Sequence, residues 1–176
     1  MFANLLSAFR FPLALILIPL VWNAQWAWAL ALMMLAIATD VIDGYVARRF
    51  AEPTPVGGLL DHGSDAFLVV CGLGTFAAQT KIPLLLPILV ALAFTQYLLD
   101  SGGVRKAGLR GSQLGRINGL LYIGFLVALI TLNLFQADDQ VAPIVLTVAW
   151  ALVGSTLLSM IDRARHRFQA GRSPNN

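Results

Sequence analysis

Apolar residues in this chain run in long blocks instead of alternating or recurring every three to four positions, and short polar stretches separate the blocks. Blocks near 20 residues match the length a helix needs to cross a bilayer. Residues 2–9 end at Arg10 and predict a short amphipathic interfacial helix, followed by a first span from about Phe11 to Val21. A second helix is predicted over Trp26–Phe50, apolar first and polar at its end, and a third over Val56–Ala78 with the reverse order. Pro53 and Pro55 mark the loop between them. A tight turn at Lys81–Pro83 leads into a fourth span, from Ile82 to about Leu99. The fifth covers about Leu114–Phe135 and the sixth Val141 to about Ile161. The predicted fold is an all-α membrane protein with six transmembrane helices and a short N-terminal amphipathic helix. It reads as one domain over residues 1–170, with a disordered tail over 171–176.

Composition strengthens the bilayer reading. Of the 176 residues, 58% are hydrophobic and 12% charged. Soluble domains carry about 25% charged residues, so this chain cannot cover a water-facing surface. No nucleic-acid partner is expected. The weak basic start and the spans that follow at once argue against a cleaved signal peptide. Cys71, the one cysteine, sits in an apolar run and reads as a small buried hydrophobe.

Charge placement gives an orientation. With the N-terminus in the cytoplasm, eleven of the twelve Lys and Arg residues fall on the inside, Arg10 among them, and Lys81 alone falls outside. The positive-inside rule favours that arrangement, with both termini cytoplasmic and the inner (plasma) membrane as location. Trp22, Trp26 and Trp28 cluster at the opposite interface as an aromatic belt, while Trp150 reads as a packing residue.

Carboxylates change the picture from a membrane protein to a membrane enzyme. Asp40, Asp43, Asp61 and Asp65 lie within two helices that otherwise look membrane-embedded, a setting that costs several kcal/mol for each unpaired charge. Asp40 and Asp43 are three apart and share a helix face with Ala47, and Asp61 and Asp65 are four apart and share another. A short loop returns the two helices antiparallel, so the acidic turns face each other at the cytoplasmic end. An all-oxygen pocket of this kind selects Mg²⁺ or Mn²⁺ over zinc or copper. His62 points elsewhere on its helix. Gly44 and Gly57 allow a ligand or a neighbouring helix to approach closely. Gly72 and Gly74 read as packing residues.

Asp40, Asp43, Gly44, Ala47 and Arg48, then eight residues, Gly57, three residues, Asp61, three residues and Asp65 form a pattern. It resembles the signature of the CDP-alcohol phosphotransferase family at every fixed position and gap. The six-helix layout and the opening from Asn4 to Arg10 extend the resemblance over most of the chain. The resemblance implies a reaction in which a CDP-lipid, usually CDP-diacylglycerol, gives its phosphatidyl group to a small alcohol and CMP leaves. It implies that Asp40, Asp43 and Asp61 hold a pair of metal ions. Asp65 would be a ligand, the general base on the acceptor hydroxyl, or both in turn. Gly44, Ala47, Arg48 and Gly57 would line the CDP site, and the protein would be a homodimer within the membrane.

The acceptor is read from the basic stretch around the start of the fifth helix, with Arg105, Lys106, Arg110, Gly115, Arg116 and Asn118. Guanidinium groups suit bidentate phosphate recognition, so a phosphorylated acceptor such as glycerol 3-phosphate fits, with Arg105 and Arg116 as its contacts. Ordinary inside-loop charge explains the same cluster. Ala66 stands where glycerophosphate-type members often carry Lys, which leaves inositol phosphate, serine or another polar alcohol as alternatives. A membrane prenyltransferase would usually place its acidic motifs on distant helices, whereas both pairs here fall between residues 40 and 65. A cation transporter would explain the carboxylates but not Gly44, Ala47, Arg48 and Gly57.

Overall fold

A computed structural model describes residues 2–50, 55–100, 113–137 and 139–170, without the side chains of residues 2–6, 43, 45–50, 55, 56, 100, 113, 139 and 166–170. The described residues form six α-helices and no strand: α1 (Phe2–Trp22), α2 (Trp26–Phe50), α3 (Pro55–Ala78), α4 (Leu85–Asp100), α5 (Gln113–Leu134) and α6 (Ala142–Ala170), the last preceded by a 3₁₀ turn over Asp139–Val141. The all-helical class is therefore as predicted. Among the described residues, two stretches are long and apolar enough to cross a bilayer, Leu114–Leu134 and Ala142–Arg165. Shorter apolar stretches cover Ser7–Trp22, Trp26–Ile42 and Leu85–Leu99. The polar ends of α2 and α3 cut their apolar runs short.

One expected boundary is absent. The N-terminal segment and the first span are a single helix, running through Pro12 and Pro19 although neither can donate to the carbonyl four residues back. Arg10, expected at the interface, is instead 0% exposed. It turns inward because its partners are there. Helix α6 likewise continues past Ile161 to Ala170.

Helix α3 is the centre of the packing and touches α1, α4 and α5. Along it Asp61, Asp65, Leu68, Gly72 and Phe76 recur at helical spacing, polar at one end and apolar at the other. Leu68, Leu73 and Phe76 join Leu17 of α1 and Leu126 of α5 in one core cluster. Gly72 is a close-approach point: a Cβ there would lie 2.5 and 2.8 Å from the Leu126 methyls and 3.1 Å from Leu17. Gly74, also expected to pack, has nothing within 4 Å of that position. Cys71 is half-buried against the core. Thr75, Thr95, Thr131, Thr147 and Thr156 each donate a hydroxyl to the carbonyl four residues earlier, which satisfies these five donors within their own helices.

The two ends of the bundle differ. At one end α1, α3 and α5 stop in the same way. Ala24, Thr80 and Gln136 have φ of 56°, 60° and 51°. In each case the next residue's N–H reaches the carbonyl five back (Gln25 to Leu20, Lys81 to Phe76, Ala137 to Leu132). These are Schellman caps built without glycine. Lys81 closes this end, donating to Asn133 Oδ1 at 2.8 Å and lying 4.9 Å from the Trp26 ring centre. Trp26 itself stacks on Phe76 at 6.0 Å, while Trp22 and Trp28 are exposed. Trp150, expected to pack, is 52% exposed. Asp40 lies 14 residues along α2 from Trp26, about 21 Å at 1.5 Å per residue, so the acidic residues occupy the other end.

Candidate metal and substrate site

At that far end α1 packs against both α2 and α3, and the acidic side chains of α2 and α3 converge on it. One oxygen from each of Asp40, Asp61 and Asp65 lies within 4.8 Å of the other two. Oxygens around one Mg²⁺ at 2.0–2.1 Å are at most about 4.2 Å apart, close to the spacing of this set. All three ligands are hard oxygens, which fits a divalent cation of the Mg²⁺ type. The side chains of Asp43, Ala47 and Arg48 lie outside the described residues; their backbone belongs to α2, one to two turns past Asp40. Gly44 and Gly57 are both part-buried near the ends of the same two helices.

Sequence reasoning assigned Arg10 to the interface and missed its partners. Its Nη2 lies 2.8 Å from Asp40 Oδ1, and its Nη1 lies 2.9 Å from both Asp61 Oδ1 and Asp65 Oδ1. Nη1 also donates to Ser64 Oγ at 3.3 Å, and Ser7 Oγ donates to Asp61 Oδ1 at 3.3 Å. Ser64 in turn donates to the Asp61 carbonyl at 2.9 Å. Two unit charges 4–5 Å apart interact by about 3–4 kcal/mol at an effective dielectric of about 20. Three carboxylate pairs thus repel about as strongly as three guanidinium contacts attract. Arg10 therefore offsets the mutual repulsion, and with all three carboxylates ionised the four groups carry a net charge of minus two, the charge a divalent ion complements. The signal was present: an arginine within a helix that is otherwise apolar is expensive and calls for a buried partner.

Beside the carboxylates is a cavity of about 470 Å³. Asp40 and Asp65 form part of its wall, with His62, Arg116, Asn118 and Arg163 contributing further polar groups. Most of the remaining wall is apolar or aromatic, including Val69, Phe94 and Ile123. His62 is outside the carboxylate triad, as expected, and packs edge-on against Tyr97 at 5.7 Å. Arg163 of α6 lies 5.5 Å over the same ring. Asn118 is 3% exposed and accepts from Ser155 Oγ at 2.6 Å, and Tyr122 shares a 2.5 Å hydrogen bond with Thr156. Arg116, selected from the sequence, is exposed and does reach the cavity. Arg105, Lys106 and Arg110 lie outside the described residues. Nothing in the sequence ties Arg163, at the end of α6, to the acidic helices.

An all-helical bundle with a carboxylate cage beside a mixed cavity defines a class, and the whole chain agrees with it. Residues 1–161 match the family model for CDP-alcohol phosphatidyltransferase, and the chain belongs to that family. It is similar to the CDP-diacylglycerol--glycerol-3-phosphate 3-phosphatidyltransferase of Pseudomonas fluorescens, 29% identical over 116 residues, covering 60% of this chain and 60% of that protein. It is also similar to the cardiolipin synthase (CMP-forming) of Streptomyces coelicolor, 26% identical over 127 residues, covering 72% of this chain and 59% of that one. The chain thus spans about three-fifths of the length of these curated relatives.

Proposed function

We propose that this protein is an integral membrane phosphatidyltransferase. It moves the phosphatidyl group of CDP-diacylglycerol, or a similar CDP-lipid, onto a small alcohol and releases CMP, a step of phospholipid synthesis. The observation that carries the reading is the convergence of Asp40 of α2 with Asp61 and Asp65 of α3 within 4.8 Å. In this reading all six helices cross the inner membrane, both termini are cytoplasmic, residues 1–170 are one domain, and the protein works as a homodimer; the tail over 171–176 lies outside the described residues.

Asp40, Asp43, Asp61 and Asp65 hold divalent metal, Mg²⁺ or Mn²⁺ and two ions in number. Bound metal supplies charge neutralisation on the pyrophosphate. Gly44, Ala47, Arg48 and Gly57 accommodate the CDP group at the ends of α2 and α3. Asp65 accepts the proton from the acceptor hydroxyl as its oxygen bonds to the lipid-side phosphorus; the bond from that phosphorus to the CMP oxygen breaks, and CMP leaves with the electron pair. Arg105 and Arg116 bind the acceptor. Glycerol 3-phosphate is the preferred acceptor, supported by the two arginines and by the name of the Pseudomonas relative. A lipid-borne alcohol is the second reading, supported by the mostly apolar wall of the cavity and by the name of the Streptomyces relative.

The test is direct. Purified protein is incubated with CDP-diacylglycerol and a panel of acceptors (glycerol 3-phosphate, inositol phosphate, serine, phosphatidylglycerol), with and without EDTA, and the lipid formed is identified by mass spectrometry. Metal-dependent CMP release with one acceptor is expected. No CMP release with any alcohol in Mg²⁺ or Mn²⁺ rejects the reading.

A further inference from the structure

The sequence pattern that defines the site leaves Arg10 out, yet Arg10 touches three of its carboxylates. We propose that Arg10 is the positioning residue of the cage: one guanidinium grips Asp40, Asp61 and Asp65 from behind and sets the shape they present to metal. The inference rests on the metal reading above.

Three observations carry it. First, the grip is multiple. Nη2 takes Asp40 and Nη1 takes Asp61 and Asp65, all at 2.8–2.9 Å. A planar fork can hold three acceptors on two other helices at once, whereas an ammonium on a flexible stem cannot reproduce that spread. Second, the grip comes from the protein side. The Arg10 side chain is 1% exposed, against 45%, 38% and 27% for Asp40, Asp61 and Asp65. Asp40 and Asp65 line the cavity and Arg10 does not. Third, the ion pairs to Asp40, Asp61 and Asp65 run to Oδ1 atoms, so in each of these carboxylates one oxygen is tied to the arginine. Groups that hydrogen-bond metal-ligating carboxylates from outside the ligand set orient them, and their loss typically lowers metal affinity 10–100-fold.

The opposing idea is that Arg10 is a stand-in cation that metal must displace. The two roles predict opposite signs. A competitor, once removed, lets metal bind more tightly; a positioning group, once removed, loosens the cage. Charge also changes when arginine is removed, so the charge-conserving variant separates the effects.

The experiment is Mn²⁺ binding followed by electron paramagnetic resonance on the full chain in detergent micelles, without CDP-lipid. Arg10→Lys is expected to weaken Mn²⁺ binding about tenfold or more, and Arg10→Gln to weaken it as well. Ser64→Ala alters no charge and removes one partner of Nη1; it is expected to weaken binding in the same direction. It decides the matter if the Arg10 variants do not fold. Affinity equal to or tighter than wild type in Arg10→Lys, or in Ser64→Ala when the Arg10 variants fail to fold, overturns the positioning role while the metal reading stands. A wild-type protein that binds no Mn²⁺ overturns the metal reading and this inference with it.

Discussion

Replacing Asp65 by Asn tests the chemistry with the least damage to the fold. The amide keeps the size of the carboxylate and still offers an oxygen to Arg10 Nη1, now 2.9 Å from Oδ1. Exchanging a hydrogen bond to a charged acceptor for a neutral one costs about 1 kcal/mol. Losing one negative charge also relieves repulsion from Asp40 and Asp61, whose oxygens lie within 4.8 Å. The two effects oppose each other and are of similar size, so net stability changes by no more than about 1 kcal/mol. That corresponds to a shift of about 2–4 °C in Tm for a chain of this size. Activity has no such compensation. An amide cannot take the acceptor proton, and general-base catalysis is worth about 10²–10⁴ in rate, about 3–5 kcal/mol of barrier. The assay is CMP release at saturating CDP-diacylglycerol, with Tm followed in EDTA on the same samples. Turnover within tenfold of wild type at an unchanged Tm would refute the role given to Asp65.

Arg116→Ala is expected to raise the acceptor KM several-fold while leaving the CDP-lipid KM near wild type, and Arg105→Ala to do the same; equal changes in both constants would remove them from the acceptor site. Gly72→Val should cost about 1–3 kcal/mol, because the added carbons enter space held by Leu126 and Leu17; an unaltered Tm would show that α5 moves aside freely. Thr80→Gly should stabilise the protein by about 0.5–1 kcal/mol, since a β-branched residue there holds a φ of 60° that glycine adopts without strain. A lower Tm for that variant would mean that the Thr80 side chain contributes more than its backbone strain costs.

Much of the site could be read without coordinates because helical spacing is a local property. Three- and four-residue separations put Asp61 with Asp65 and Asp40 with Asp43 on shared faces, and only four residues separate α2 from α3, which leaves an antiparallel return as the simple path. Those two facts bring the acidic ends to the same side of the bundle; the convergence itself also needs α1, which packs against both helices and joins Asp40 to Asp61 and Asp65 through Arg10. Helix ends at Trp26, Phe50 and Ala78 were legible for the same reason, as hydropathy changes sharply there. The break expected at Arg10 was misplaced because charge was taken to mark an interface. Helix α1 continues because that charge is satisfied inside the protein. The weight given to Trp150 and Gly74 failed for a related reason: residue type does not say which side of a helix faces a neighbour.

Sequence alone determined the composition that demands an apolar solvent, the helical spacing of the four aspartates and the membership those fixed residues signal. These are properties of one segment or of the whole sum, and no distant contact alters them. Tertiary structure decided what lies behind and beside the cage. It seats Arg10 of α1 on carboxylates more than fifty residues downstream in α3, and it brings Arg163 of α6 to the cavity that Asp40 and Asp65 share. Such pairings depend on how helices far apart in the chain rotate and pack, a choice made by core residues such as Leu17, Gly72 and Leu126 that carry none of the chemistry themselves.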